Sequence, residues 1–262
     1  MGDRTRIEWT DATWNPTTGC TRVSTGCDHC YAATLAYGRL DTVYRRRLPV
    51  VDTPENRADA FSVRVWPERL AQPGRWADPK LVFVNSMSDL FHVDVPEHFV
   101  RQVFEVMLSV DRHIYQVLTK RPARAHRFWK RNRDLFDWRP IPGHIWMGTS
   151  VENQGVTYRI DHLRTVPAEI RFLSCEPLLG PMDLDLRGIH WVIVGGESGI
   201  GYRRLNLDWA REIRGQCLQS GVPFFFKQVG GRTPKAGGRL LDGREWNDYP
   251  SHKRAFASYA VA

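Results

Sequence analysis

His190-Trp-Val-Ile-Val194-Gly-Gly-Glu197-Ser198 passes within nine residues from an unbroken apolar run to small and polar side chains. A short run without alternation fits a strand covered on both faces. The same figure recurs along the chain. Leu81-Val-Phe-Val84 leads into Asn85-Ser86-Met87-Ser88-Asp89, and Ile114–Leu118 into Thr119-Lys120-Arg121. Ile145-Trp-Met147 leads into Gly148-Thr149-Ser150-Val151-Glu152, and Ile170–Leu173 into Ser174-Cys175-Glu176. Val222–Phe226 ends in Lys227-Gln228.

Helical signals lie between these runs. Pro96 precedes Phe99, Val103, Phe104, Met107 and Leu108 at helical spacing, and Pro122 opens an Arg-rich segment. A third helix is predicted around 153–164. Asn206 caps a fourth that stops at Gly221. Residues 177–188 are too broken by Pro and Gly for a full helix. Alternating strands and helices require a mainly parallel sheet, because parallel neighbours need crossovers. Six or seven strands predict an α/β fold, either a partial (β/α) TIM-type barrel or an open doubly wound sheet. Nearer the start, Arg6-Ile-Glu-Trp9 alternates like a strand, Thr13-Trp-Asn15 reads as another, and Tyr31–Leu40 reads as a helix.

In parallel α/β folds the carboxyl ends of the strands share one face, where ligands bind. The six polar strand ends are therefore expected to converge on one site.

The 262 residues are expected to form a single domain with a substantial core. Residues 41–80 read as an irregular insertion packed by Trp66 and Trp76, with Arg45–Arg47 as either a phosphate-contacting patch or a solvated face. Residues 229–262, with Gly230-Gly231 and Gly237-Gly238, read as a loop and tail closing the site. No run is long enough to span a membrane and no leader-like segment opens the chain, so a cytoplasmic location is expected. Thirty-seven Lys and Arg against 29 Asp and Glu give a net charge of +8, which favours a nucleic acid or nucleotide partner.

Three of the five cysteines, Cys20, Cys27 and Cys30, are spaced C-x6-C-x2-C. Such bunching reads as metal-binding rather than as a disulfide framework. A structural zinc site usually takes four ligands; only one C-x2-C pair is present here, with His29 as a fourth candidate. Three thiolates with one position open suit a [4Fe–4S] cluster.

The blocks Trp14-Asn-Pro16, Gly19-Cys20, Val23-Ser24, Gly26-Cys27 and Cys30-Tyr-Ala32 resemble the signature of the phage-associated three-cysteine family. Leu118–Pro122, Gly148–Glu152, Ser174–Gly180, Gly195–Gly199 and Phe226–Gln228 resemble its later blocks. That family is similar to radical S-adenosylmethionine (SAM) enzymes, with spore photoproduct lyase-type repair enzymes among suggested relatives.

The resemblance implies a partial TIM-type barrel whose [4Fe–4S] cluster, on Cys20, Cys27 and Cys30, cleaves SAM so that a hydrogen atom is taken from a nucleic acid or nucleotide. It also implies an electron donor such as flavodoxin or ferredoxin. The first cysteine gap is six residues, where the common radical SAM spacing has three. Ser86-Met-Ser88-Asp89 stands where a Gly-Gly-Glu usually receives the SAM amine. On this reading Ser86, Ser88 and Asp89 hold that amine, and Thr149, Ser150 and Glu152 hold the ribose or carboxylate. Lys120, Arg121, Glu176, Glu197 and Lys227 face the substrate. Cys175 reads either as a hydrogen-atom donor or as a small buried residue, whereas Cys217 lies on a helix face with Trp209 and Ile213 and reads as core. The alternative is a nucleic-acid-binding protein with a structural zinc or Fe–S site and no catalytic role.

Overall fold

The computed structural model describes residues 5–46 and 54–251. Ala12–Trp14 (β1) and Thr17–Thr18 (β2) precede the cysteine loop, and Tyr31–Tyr37 (α1) follows it. Asp41–Arg46 (α2), Pro54–Ala58 (α3) and Arg64–Val65 (β3) occupy the irregular stretch. Leu81–Val84 (β4), Glu97–Ser109 (α4), Ile114–Thr119 (β5), Pro122–Arg131 (α5) and Ile145–Ser150 (β6) then alternate. Tyr158–Arg164 (α6), Arg171–Cys175 (β7), Trp191–Gly195 (β8), Leu207–Ser220 (α7) and Phe224–Gln228 (β9) complete the sequence.

Seven strands form one parallel sheet in the order β1-β4-β5-β6-β7-β8-β9, while β2 and β3 pair separately and antiparallel. The order never reverses, as it would in a doubly wound sheet. The fold is thus a partial (β/α) barrel with β1 and β9 as its edges. Residues 246–248 run along β9, where the Phe226 N–H donates to the Trp246 carbonyl at 2.9 Å. This covers an edge that would otherwise be open to pairing.

Side chains alternate across each strand, so the sheet has two apolar faces. Val82, Val117, Met147, Leu173 and Val194 point outward into the helix-covered core. Phe83, Trp146, Phe172, Trp191 and Phe225 point inward and plug the barrel floor. Trp191 meets Trp9 and Trp146 edge-on, with centroids 6.2 and 5.8 Å apart. The amino-terminal half of each strand is therefore packed solid, and only the carboxyl-terminal half is left to line a site.

Three expectations change in detail. Arg6–Trp9 is a turn, not a strand: the apparent alternation came from Ile7 and Trp9, which both pack on the floor plug. The helix expected over 153–164 is a 3-10 turn at Gln154–Val156 followed by α6, because the Asn153 side chain captures the Gly155 N–H at 2.9 Å. The helix after the cysteines ends at Tyr37 rather than Leu40, with Gly38 at its C-cap.

On α7, Asn206 accepts the Asp208 N–H at 2.9 Å and Gly221 stops the last turn. Asn206→Ala is expected to cost about 1 kcal/mol, read as a lower urea midpoint with an unchanged m-value.

A candidate cofactor and active site at the barrel mouth

The cysteine loop lies across the carboxyl ends of the strands, and four of those ends hold it. At β4, the Asn85 side chain and Ser88 hydroxyl bond Thr17 at 3.0 and 2.7 Å, and the Gly19 N–H donates to the Met87 carbonyl at 3.0 Å. At β5, Arg121 donates to the Thr21 carbonyl and hydroxyl, both at 3.2 Å, and its guanidinium lies 3.6 Å from Cys20 Sγ. At β6, Glu152 accepts the Ser24 hydroxyl at 3.0 Å. Gly26 passes so close that a Cβ there would sit 2.4 Å from Glu152 Cγ, so only glycine allows this approach. At β8, Glu197 bonds His29 Nδ1 at 2.9 Å, and Arg203 reaches from Glu197 to the Thr25 carbonyl at 3.0 Å.

Electrostatics keep these clamps charged. Burial alone would raise the Glu152 carboxyl, but Lys120 and Arg159 outweigh it and hold the group below the usual range. Burial likewise opposes ionisation of Glu197, but the Arg203 side chain and N–H, together with His29, hold its carboxyl down to about 2. Burial, followed by the charge of Arg121, pushes His92 down. Its Nε2 lies 2.7 Å from the Thr21 hydroxyl, an uncharged partner for the loop.

Below the loop, the strand alternation that turns Trp146, Phe172 and Phe225 inward also turns Glu152, Glu176 and Lys227 inward. Lys120, two residues past the floor-packed Leu118, pairs with Glu152. Lys227 Nζ pairs with Glu176 at 2.5 Å, and both side chains remain partly accessible. Tyr31 donates its hydroxyl to the Ser86 carbonyl, while the residue stays half exposed at the mouth.

Other expected site residues are committed to the protein's own structure. Asp89 accepts from Thr119 Oγ1 at 2.7 Å, Arg121 at 2.9 Å, and the N–H groups of Phe91 and Lys120 at 3.0 Å, so it orients Arg121. Ser86 exchanges hydrogen bonds with Asn15, and the Thr149 hydroxyl donates to the Thr119 carbonyl at 2.8 Å. Ser150 is buried, and its carbonyl accepts from Arg159 at 3.0 Å. Cys175 takes the second of its two readings: it faces outward into the helix-covered core, fully buried, in the same cluster as Cys217. Its strand neighbours Ser174 and Glu176 take the opposite face, so the donor role does not agree with this placement. Burial drives both thiols up, Cys217 to about 12.

Sequence reasoning missed Arg159 and Arg203 altogether, met Asn15 and Ser24 only inside the resemblance blocks with no role, and weighed His29 as a metal ligand rather than as a partner of Glu197. The Arg45–Arg47 patch lies partly outside the described residues; Arg45 itself pairs with Asp41.

Cys20, Cys27 and Cys30 are free thiols, each half-buried. Burial and the charge of Asp89 push the Cys20 thiol up to about 11, against Arg121 beside it. Among the described residues, no three His, Cys, Asp or Glu side chains are grouped to hold a single ion. A thiolate-bound iron cage spreads its ligands more widely than one ion does. Three thiols on one loop beside a guanidinium are in kind the donors it takes.

Residues 4–250 match the model of a family described as proteins of unknown function, DUF5131. The chain belongs to the DUF5131 family. None of the curated proteins matches it. Two spore photoproduct lyase structures are similar to this DUF5131 chain. One is a doubly substituted form with bound AdoMet and dinucleoside spore photoproduct: TM-score 0.43, 12% identity, covering 78% of this chain and 60% of that one. The other is a complex with dinucleoside spore photoproduct: TM-score 0.43, 13% identity, covering 94% and 71%. No helix among the described residues is long and apolar enough to cross a membrane.

Proposed function

We propose that this DUF5131 protein is a radical SAM-type enzyme acting on a nucleic acid or nucleotide, with Cys20, Cys27 and Cys30 as ligands of a [4Fe–4S] cluster. One observation carries the reading: three half-buried thiols, clamped by four strand ends, lie over a mouth lined by charged side chains. A structural metal would need no such mouth. When bound, such a cluster supplies the electron that cleaves the sulfonium of SAM and so allows hydrogen-atom abstraction.

The chain's own residues do the rest. Arg121 offsets thiolate charge at Cys20, and Asp89 aims Arg121. Glu152, Glu197 and Arg203 fix the loop so that the cysteines need not reorganise. Glu176 and Lys227 are an accessible acid and base side by side, able to take the amine and carboxylate of a zwitterion or the polar edge of the substrate. Lys120 shares Glu152 with Arg159 and offers its remaining N–H donors to an anionic group. The aromatic floor excludes water from below. Ser86, Ser88, Thr149 and Ser150 contribute by holding the strand ends in register.

Anaerobic reconstitution with iron and sulfide should give about four irons per chain and thiolate-to-iron absorption. With dithionite and SAM it should release 5′-deoxyadenosine. Cys20→Ala, Cys27→Ala and Cys30→Ala should each abolish that release. Stoichiometric zinc in anaerobically purified protein, with no nucleoside formed, would overturn the reading.

A further inference from the structure

Ile200 is 91% exposed, the most exposed of the large apolar residues described. It forms the tip of the loop that leaves β8 at the mouth, between Gly199 (φ +120°) and Gly201 (φ +78°). The tip is fixed at its base. The Gly199 N–H donates to the Gly231 carbonyl at 2.9 Å, Ser198 forms a bridge with Gly231, and Gln228 Nε2 donates to the Ser198 hydroxyl at 2.8 Å. Gly201 lies against the His29 ring, about 4.0 Å from where its Cβ would be, so the tip stands directly beside the cysteine loop.

Behind the tip is a cleft between the carboxyl ends of β8 and β9, lined by Tyr202, Arg204, Leu205, Val229 and Gly230 with no acidic side chain. Arg204, Arg232 and Lys235 flank it, all exposed, and make no ion pair among the described residues. Three exposed cations with no ion pair among the described residues favour a polyanion, and the aliphatic tip stands where such a strand would pass.

We propose that this corner is a polynucleotide-docking element. Arg204, Arg232 and Lys235 hold backbone phosphates, and Ile200 enters a base step and unstacks it beside the mouth. Apolar wedges of this kind open base steps in other nucleic-acid-binding proteins, and a base must leave the stack to enter a pocket. The inference rests on the proposed nucleic-acid substrate and narrows it from free nucleotides to stacked strands.

The test needs neither cluster nor SAM, so it can fail or succeed apart from the radical reading. Apo protein is titrated into DNA and RNA duplexes of mixed sequence carrying 2-aminopurine, with anisotropy for binding and 2-aminopurine fluorescence for unstacking. Wild type should bind and brighten the probe, and the stronger of the two arms identifies the strand. Ile200→Ala should bind within about threefold and leave the probe dark. The triple exchange Arg204→Ala, Arg232→Ala, Lys235→Ala should weaken binding at least tenfold and make the log K against log salt slope shallower by about 2–3. Equal brightening by Ile200→Ala, an unchanged salt slope in the triple variant, or no duplex binding by wild type at low salt would each overturn the proposal.

Discussion

Glu152→Ala is expected to destabilise the protein by about 3–5 kcal/mol. The Glu152 side chain is fully buried, with Arg159 on one oxygen and Lys120 and the Ser24 hydroxyl on the other. Removing it strands Arg159, whose side chain is only 2% exposed, without a counter-charge. The cost comes chiefly from that abandoned cation, since a buried pair contributes little against an apolar replacement while a broken one is expensive. Glu152→Gln keeps the shape and an acceptor and should recover part of the loss. Urea unfolding of the apo proteins measures both. A loss below about 1 kcal/mol for the alanine variant would mean that Arg159 escapes to water, and that the loop is not held by a buried ion pair.

Wild type should lose about 3 kcal/mol of its advantage over Glu197→Gln as the pH falls from 7 towards 2. Folding lowers the Glu197 carboxyl from 4.5 to about 2. A carboxyl depressed on folding binds its proton more weakly folded than unfolded. Its stabilisation is therefore complete above about 4.5 and drains away as pH falls towards about 2. Other carboxylates titrate in both proteins and cancel in the difference. Hydrogen exchange of residues 24–30 should quicken in Glu197→Gln at neutral pH, because His29 and Arg203 then share a neutral partner. A pH-independent difference would assign the clamp to hydrogen-bond geometry alone.

The scaffold was legible because each buried strand is marked locally. Trp191–Val194 cannot stay apolar through four positions unless both faces are covered, and Gly195 onward announces the exit. What the polar strand ends do was less legible. Glu152 and Glu197 read as groups awaiting a ligand, yet their partners Ser24 and His29 lie 128 and 168 residues away, and no local pattern links them. Arg159 sits among ordinary helix residues, and nothing nearby signals that it turns beneath Glu152. Cys175 is a different case. Counting alternately from the floor residue Phe172 places Ser174 and Glu176 inward and Cys175 outward, so its placement was readable from the strand itself.

The sheet joins each strand to the one made just before it, apart from the small pair β2 and β3, whereas the clamps on the cysteines run from one end of the chain to the other. On a ribosome, His29 emerges 168 residues ahead of Glu197. At about 5–20 residues per second, that is roughly 10–30 s during which the three thiols are outside while the β8 clamp does not yet exist. The connectivity itself therefore makes the β8 clamp the last of the four to close on the cysteine loop as the chain grows.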